Sequence, residues 1–139
     1  MYKRQVKHAH HNFDADIPGK DSFRHRQAGA RQVLVSSAQR SALFTEHTAS
    51  DEPDLPQLLR RLAPAELVLV EGFKRYSIEK IEIYRPSVRK PRLYPDDDLV
   101  MAVASDEALD DCPLPVFNLS DIAAIANFII VQTKLKQAC

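Results

Sequence analysis

The chain has little glycine, little cysteine, no tryptophan and no net charge. Each shortage removes a class of protein. Three glycines among 139 residues (Gly19, Gly29 and Gly72) leave no complete G-x-x-x-x-G-K-[ST] phosphate loop anywhere in this sequence. Two cysteines, Cys112 and Cys139, are too few for a disulfide framework or a four-cysteine zinc site, so a reducing, cytoplasmic setting is expected. No signal-peptide pattern opens the chain, and no apolar run approaches the ~20 residues that span a bilayer. Nineteen basic side chains cancel nineteen acidic ones, which removes the bulk electrostatic case for nucleic acid or an anionic membrane as partner.

What is present is the material of one domain. With 45% hydrophobic and 27% charged residues, the composition is globular. A chain of this length buries roughly two-thirds of its surface on folding. Its charges are unevenly spread. Residues 1–31 hold seven Lys/Arg against three Asp/Glu, residues 70–92 hold seven against three, and residues 93–139 hold two against eight. Two basic segments that met in the fold would form a local anion site on a neutral protein.

Val6 to His8 reads as the end of a strand. Asp21 and Ser22 are expected to cap a helix through Ala28, with Gly29 as its stop. Arg31–Ser37 and Arg40–Glu46 read as two short strands joined by a turn. Glu52–Pro64 reads as a helix with Leu55, Leu58, Leu59 and Leu62 at three- and four-residue spacing. Leu67 to Val70 is a continuous apolar run, expected to be a strand covered on both faces. Ile78–Pro86 alternates, which places Ile81 and Ile83 inward and Glu82 and Tyr84 outward. Arg89–Asp98 is a loop and Leu99–Asp106 a second buried strand. Leu114–Asp121 offers one more strand. Ser120 is expected to cap a closing helix with Ile122, Ile125, Ala126 and Ile129 on one face and Lys134 and Lys136 in its last turn. Buried strands interleaved with helices predict an α/β fold with a largely parallel sheet and flanking helices. In such sheets ligands sit beyond the carboxyl ends of the strands. Three polar clusters fall there: His8–Asp21, Glu71–Lys74 and Ser105–Asp106.

The run VKHAHHNFDADIPGKDS (Val6–Ser22) carries the densest chemistry. Its Gly19-Lys20 pair does not complete a phosphate loop, because Asp14 stands at the first glycine and Asp21 at the hydroxyl position. His8 and His10, and again Asp14 and Asp16, alternate and so share faces of an extended segment. Three readings stay open: a transition-metal site, a solvated polar loop, and a loop that contacts an anion or Mg²⁺. LVLVEGF (Leu67–Phe73) favours the last. Four apolar residues deliver a glutamate to a strand end, as in a Walker B strand whose carboxylate holds Mg²⁺ through water. Gly72 then lets the chain approach a terminal phosphate without side-chain clash.

Taken together, the His8–Ser22 run, LVLVEGFKRYSIEKIEIYR, VMAVASD and PVFNLSDI closely resemble the molybdopterin-guanine dinucleotide biosynthesis protein B (MobB) family, in the same order and over nearly the whole chain. The resemblance implies a P-loop NTPase-like fold, GTP binding with Mg²⁺, and weak GTPase-type activity. It also implies an accessory role in attaching a guanine nucleotide to molybdopterin, with the guanylyltransferase as partner and a homodimer as assembly. By the same resemblance Glu71 and Gly72 match the Walker B element. His8, His10, His11, Lys20, Asp21 and Ser22 fall in a switch-like segment that contacts phosphate or pterin. Asp106 matches the position at which related GTPases read guanine; a carboxylate there accepts from both N1–H and the amino group, a donor pair adenine lacks. Asp14 and Asp16 are expected to assist the metal, Asp16 with Glu71 as its ligands, and Lys20 and Lys74 to attract phosphate oxygens.

One departure sets a further expectation. In the family a first strand, Walker A loop and first helix precede the segment that begins here near Gln5. The sequence is therefore read as a single, N-terminally truncated domain with impaired nucleotide binding, its Leu67–Val70 strand lacking a central neighbour. Strand exchange or dimerisation would then close the gap. The alternatives are a non-enzymatic adaptor that binds molybdopterin through the His8–Asp16 loop, and a histidine-rich metal module built on His8, His10 and His11.

Overall fold

A computed structural model describes residues 2–9, 13–48 and 52–135. The chain divides into two compact units, Tyr2–Phe73 and Lys74–Cys139.

In the first unit, β1 (Lys3–Lys7) pairs in parallel with β4 (Leu67–Glu71), in register from Lys3 beside Leu67 to Lys7 beside Glu71. The expectation that Leu67–Val70 lacks a neighbour is thus corrected on one edge, since the strand expected to end over Val6–His8 spans Lys3–Lys7 and runs beside it throughout. Coverage of that strand on both faces is also corrected: Leu69 is 38% exposed, because a two-stranded sheet is too small to be enclosed on two sides. Between these strands lie α1 (Asp21–Gln27), the antiparallel hairpin β2 (Gln32–Ser36) and β3 (Ser41–Thr45), and α2 (Leu55–Leu59).

The N-cap of α1 is Lys20, with no side-chain cap. Asp21 and Ser22, expected there, lie inside the first turn, and the Ser22 hydroxyl donates instead to Asp16 Oδ1 at 2.8 Å. Gly29 stops the helix in the left-handed region, φ +97°. The α2 helix is shorter than its leucine spacing suggests. Asp54 opens it by accepting from the Gln57 N–H at 2.7 Å while Gln57 Oε1 accepts from the Asp54 N–H at 2.9 Å. The chain has left the helix by Arg60, ahead of Pro64.

The second unit holds a parallel three-stranded sheet, β5 (Lys80–Tyr84), β6 (Val100–Ser105) and β7 (Val116–Asn118), with β6 central. Val100, Ala102, Val103, Ala104 and Ser105 are buried, so β6 is the core of this unit, as its apolar run predicts. The closing helix α3 (Ile122–Gln132) starts one residue later than expected. Asp121, not Ser120, is its cap and accepts from the Ala124 N–H at 3.0 Å; Ser120 bonds Asn118 Oδ1 instead. Ile125, Phe128, Ile129 and Ile130 are half-buried while Ile122 is 70% exposed and Ala126 is exposed, so the apolar face is rotated from the expected one. Phe128 meets Phe117 of β7 at 5.2 Å between ring centroids. Lys134 lies past the helix in a left-handed turn, φ 53°, and Lys136 lies outside the described residues.

The alternation in β5 is inverted. Glu82 is 5% exposed and Ile83 is 64% exposed. Backbone demand explains it. Glu82 Oε1 accepts from the Leu93 N–H at 2.8 Å and Oε2 from the Tyr94 N–H at 3.1 Å, so the carboxylate pins the following loop. Arg92 completes the anchor: it lies over the Tyr84 and Tyr94 rings and pairs with Asp111 at 2.7 Å. Lys80 pairs with Asp97 at 2.6 Å, and that bond, with the Leu99 N–H, holds the Asp97 carboxyl below its usual range.

Replacing Glu82 by alanine strands two backbone donors, and we expect a loss of about 2–3 kcal/mol in urea unfolding. Faster amide exchange at Leu93 and Tyr94 should accompany it; unchanged exchange there would separate the carboxylate from the loop. Glu82→Gln, which keeps an acceptor, should lose less.

Candidate functional site

The carboxyl ends of β1 and β4 emerge side by side because the two strands are parallel and in register. Their ladder continues one step past the strands, where the His8 N–H donates to the Glu71 carbonyl at 2.9 Å. At the rim, Lys7 Nζ donates to Glu71 Oε1 at 2.8 Å, with both side chains more than half exposed. The chain then turns sharply. Gly72 has φ +86°, and a Cβ on it would lie 2.8 Å from His8 Cβ. Phe73 follows at φ 52°, a left-handed conformation that a bulky side chain seldom adopts and that marks a strained, over-determined turn. Its ring packs against His8, centroids 5.0 Å apart, and His8 Nε2 lies 3.6 Å from Glu52 Oε1.

Arg26 organises the segment that follows β1. Its guanidinium bonds Asp14 at 2.7 Å, Asp16 at 3.1 Å and Glu46 at 2.8 Å, and it faces the Phe23 and Phe44 rings. The side chains of Arg26 and Asp16 are 12% and 6% exposed. The Asp16 N–H first, and then Arg26, hold the Asp14 carboxyl below its usual range; the same cluster, led by Asp14, raises the basicity of Arg26.

Beside these groups lies a cleft of about 720 Å³, within the ~300–1,000 Å³ usual for small-molecule sites. His8, Phe13, Phe44 and Phe73 supply ring surface to it, and Lys7, Arg26 and Arg61 supply cations. A second cleft of about 800 Å³ is polar, lined among others by Arg31, His47, Gln57, Arg60 and Arg61.

The expected site residues sort as follows. Glu71, Gly72 and His8 come together at the strand tips. Asp14, Asp16 and Ser22 come together as well, but around Arg26: Asp16 Oδ1 accepts from Ser22 and from the Ile17 N–H while Oδ2 takes Arg26. Both Asp16 oxygens are thus engaged, and the exposed Glu71 carboxylate is paired with Lys7. Lys20 and Asp21 are exposed at the start of α1. His10 and His11 lie outside the described residues. Among the described residues no three His, Cys, Asp or Glu side chains gather as a metal site. Lys74 and Asp106 belong to the second unit, where both are exposed. There Ser105 Oγ accepts from the Glu107 N–H at 3.2 Å and caps the turn that carries Asp106. Sequence reasoning missed Lys7 and Arg26. The lysine adjoins His8 and so lay within reach of a strand-end argument, but the carboxylate partners of Arg26 come from two separate segments, one of them twenty residues on.

The sequence profile of the family described as molybdopterin guanine dinucleotide synthesis protein B matches residues 4–106. The chain belongs to that family. It is 41% identical, over 90% of its own length and 73% of the relative's, to the molybdopterin-guanine dinucleotide biosynthesis adapter protein of Escherichia coli (strain K12). It is 39% identical to the protein so described from Haemophilus influenzae, over 89% and 68% of the two chains. In solved structures its fold resembles a molybdopterin-guanine biosynthesis protein B, with a TM-score of 0.71 and 24% identity over 96% of this chain and 80% of that one. It also resembles a Bacillus subtilis MobB, with a TM-score of 0.68 and 21% identity over 99% and 82%. The α/β, P-loop NTPase-like architecture expected from the sequence is therefore the observed one, and membership of the family ties the chain to molybdopterin guanine dinucleotide biosynthesis. No helix among the described residues is long and apolar enough to cross a membrane.

Two outcomes follow from this geometry. Gly72→Ala should destabilise by about 2 kcal/mol or more in thermal or urea unfolding, since the left-handed backbone alone costs ~1–2 kcal/mol for a residue with a Cβ and the methyl also meets His8. For Arg26→Gln the expected signature is in acid. Asp14 binds a proton less readily folded than unfolded, so its stabilisation is present above the ordinary carboxylate pKa of ~3.9 and is lost as pH falls through the lowered folded value. Unfolding midpoints of wild type and variant should differ at neutral pH and converge towards strong acid; a pH-independent gap would show that the charge pairing is not the cause.

Proposed function

We propose that this chain is an adapter in molybdopterin guanine dinucleotide biosynthesis that contacts GTP–Mg²⁺ weakly and acts on the guanylyltransferase that attaches the nucleotide. The observation that carries the reading is the shared tip of two parallel strands, where Glu71, Gly72 and His8 lie within one turn of one another. That is where ligands sit in open α/β sheets.

Glu71 would hold Mg²⁺, and the ion when bound neutralises phosphate charge. Lys7, ion-paired to Glu71, becomes available to a phosphate oxygen if the carboxylate turns to the metal. Gly72 leaves room for the terminal phosphate. Lys20, in the same unit, adds positive potential. No G-x-x-x-x-G-K-[ST] occurs in these 139 residues, so no loop of that kind among them wraps the phosphates in backbone amides. The protein works in the cytoplasm as a homodimer. In support of the dimer, the β2–β3 hairpin exposes Leu34 (67%) and Leu43 (56%), apolar surface that a second copy would cover.

Calorimetry of the chain with GTP and Mg²⁺, beside capture of the guanylyltransferase with and without nucleotide, tests this. We expect weak, magnesium-dependent binding that Glu71→Gln removes, together with capture of the transferase. Micromolar affinity insensitive to Glu71→Gln, or no capture under either condition, would overturn it.

A further inference from the structure

The polar cleft differs in chemistry from the strand tips, and neither Lys7, His8 nor Phe73 lines it. Gln32, Thr45 and Gln57 give it amides and a hydroxyl, and no phenylalanine or tyrosine faces it. A flat ring therefore finds no aromatic side chain of that kind to stack on. What the cleft offers is unmatched positive charge. Glu46 is engaged by Arg26 at 2.8 Å and Glu52 lies 3.6 Å from His8, so both acids of its wall are occupied. Arg60 and Arg61 are exposed and, among the described residues, in ion-pair contact with no carboxylate. Their backbone is nonetheless pinned. The Arg60 N–H donates to the Pro56 carbonyl at 3.1 Å and the Arg61 N–H to that of Leu58 at 3.0 Å. Leu55, 1% exposed, anchors the helix that precedes them. Two adjacent guanidinium groups thus stand on an ordered turn at the wall of an open cleft.

We infer that this cleft docks an acidic peptide segment of the adapter's protein partner. Its side-chain carboxylates meet Arg60 and Arg61, and its backbone lies against Gln32, Thr45 and Gln57. Guanidinium groups pair with carboxylates two donors at a time. Amide and hydroxyl side chains match the donors and acceptors of an extended peptide. At about 800 Å³ the cleft is larger than one phosphate or carboxylate fills, and it has room for a short stretch of chain. A nucleic acid is the poorer match, because the protein carries no net charge to attract a continuous phosphate backbone. The inference deepens the adapter reading and rests on it: it names the surface through which the chain meets the guanylyltransferase, apart from the Glu71 tip.

Fluorescently labelled hexaglutamate titrated with the whole chain tests the cleft, and capture on immobilised guanylyltransferase tests the partner. Both should bind the wild type, and more weakly as salt rises from about 50 to about 300 mM. Arg60→Glu/Arg61→Glu should weaken both by at least about tenfold, with the unfolding midpoint and Mg²⁺-dependent GTP binding unchanged. Arg89→Glu/Lys90→Glu, an equal charge change at exposed residues of the second unit, should leave both within about twofold. Unlabelled hexaglutamate should displace the chain from the transferase, whereas GMP and inorganic phosphate at equal concentration should not. Hexaglutamate binding unchanged in the Arg60/Arg61 variant, an equal loss in the second-unit control, or displacement by phosphate alone overturns the docking site. Should the transferase capture that variant as well as wild type, the docking site falls and the adapter reading stands. Should it capture no wild type, the adapter reading falls and takes this inference with it.

Discussion

The register between β1 and β4 is the constraint on which the strand-tip site depends. Parallel pairing carries Lys7 to Glu71, and the His8 N–H to the Glu71 carbonyl closes the last rung of the ladder. The backbone of His8 then lies so near Gly72 that a side chain at that position has no room. A slip of one residue would turn Glu71 from the rim and send every apolar side chain of β4 to the opposite face. Glycine at position 72 is thus required twice over, by its positive φ and by the proximity of His8.

Electrostatics in the same unit are organised by one guanidinium. Arg26 satisfies three carboxylates that, unpaired, would repel one another and splay the segment after β1. Held between the Phe23 and Phe44 rings, it ties residues 14–16 to α1 and β3. Carboxylates spaced as Asp14 and Asp16 are in sequence suit a divalent cation equally well. An arginine presents its donors in a fixed planar fork and stays charged at every accessible pH, so no ion is needed to hold this arrangement together.

The second unit follows the same economy of backbone satisfaction. Its central strand β6 is small and largely apolar because both neighbours crowd it, and the one acid buried in the layer among the described residues, Glu82, accepts two amide hydrogen bonds from the loop at Leu93 and Tyr94. The cost of burying that carboxylate is offset by those hydrogen bonds. Arg92, stacked between tyrosines, braces the loop from the other side.

Strands, helices and the Glu71–Gly72 turn were legible in the chain itself, because they depend on short-range spacing: a continuous apolar run, a leucine every third or fourth residue, a glycine after a strand-end acid. The family motif from His8 to Ser22 was equally plain. What the tertiary structure alone decided was which way individual side chains face and with whom they pair. Lys7 finds Glu71 across sixty-four residues, Arg26 collects acids from two segments, Glu82 turns inward against its own alternation, and the turn after α2 brings Arg60 and Arg61 to a polar cleft. Each depends on hydrogen-bond demand or register set far away along the chain, information that local periodicity does not contain.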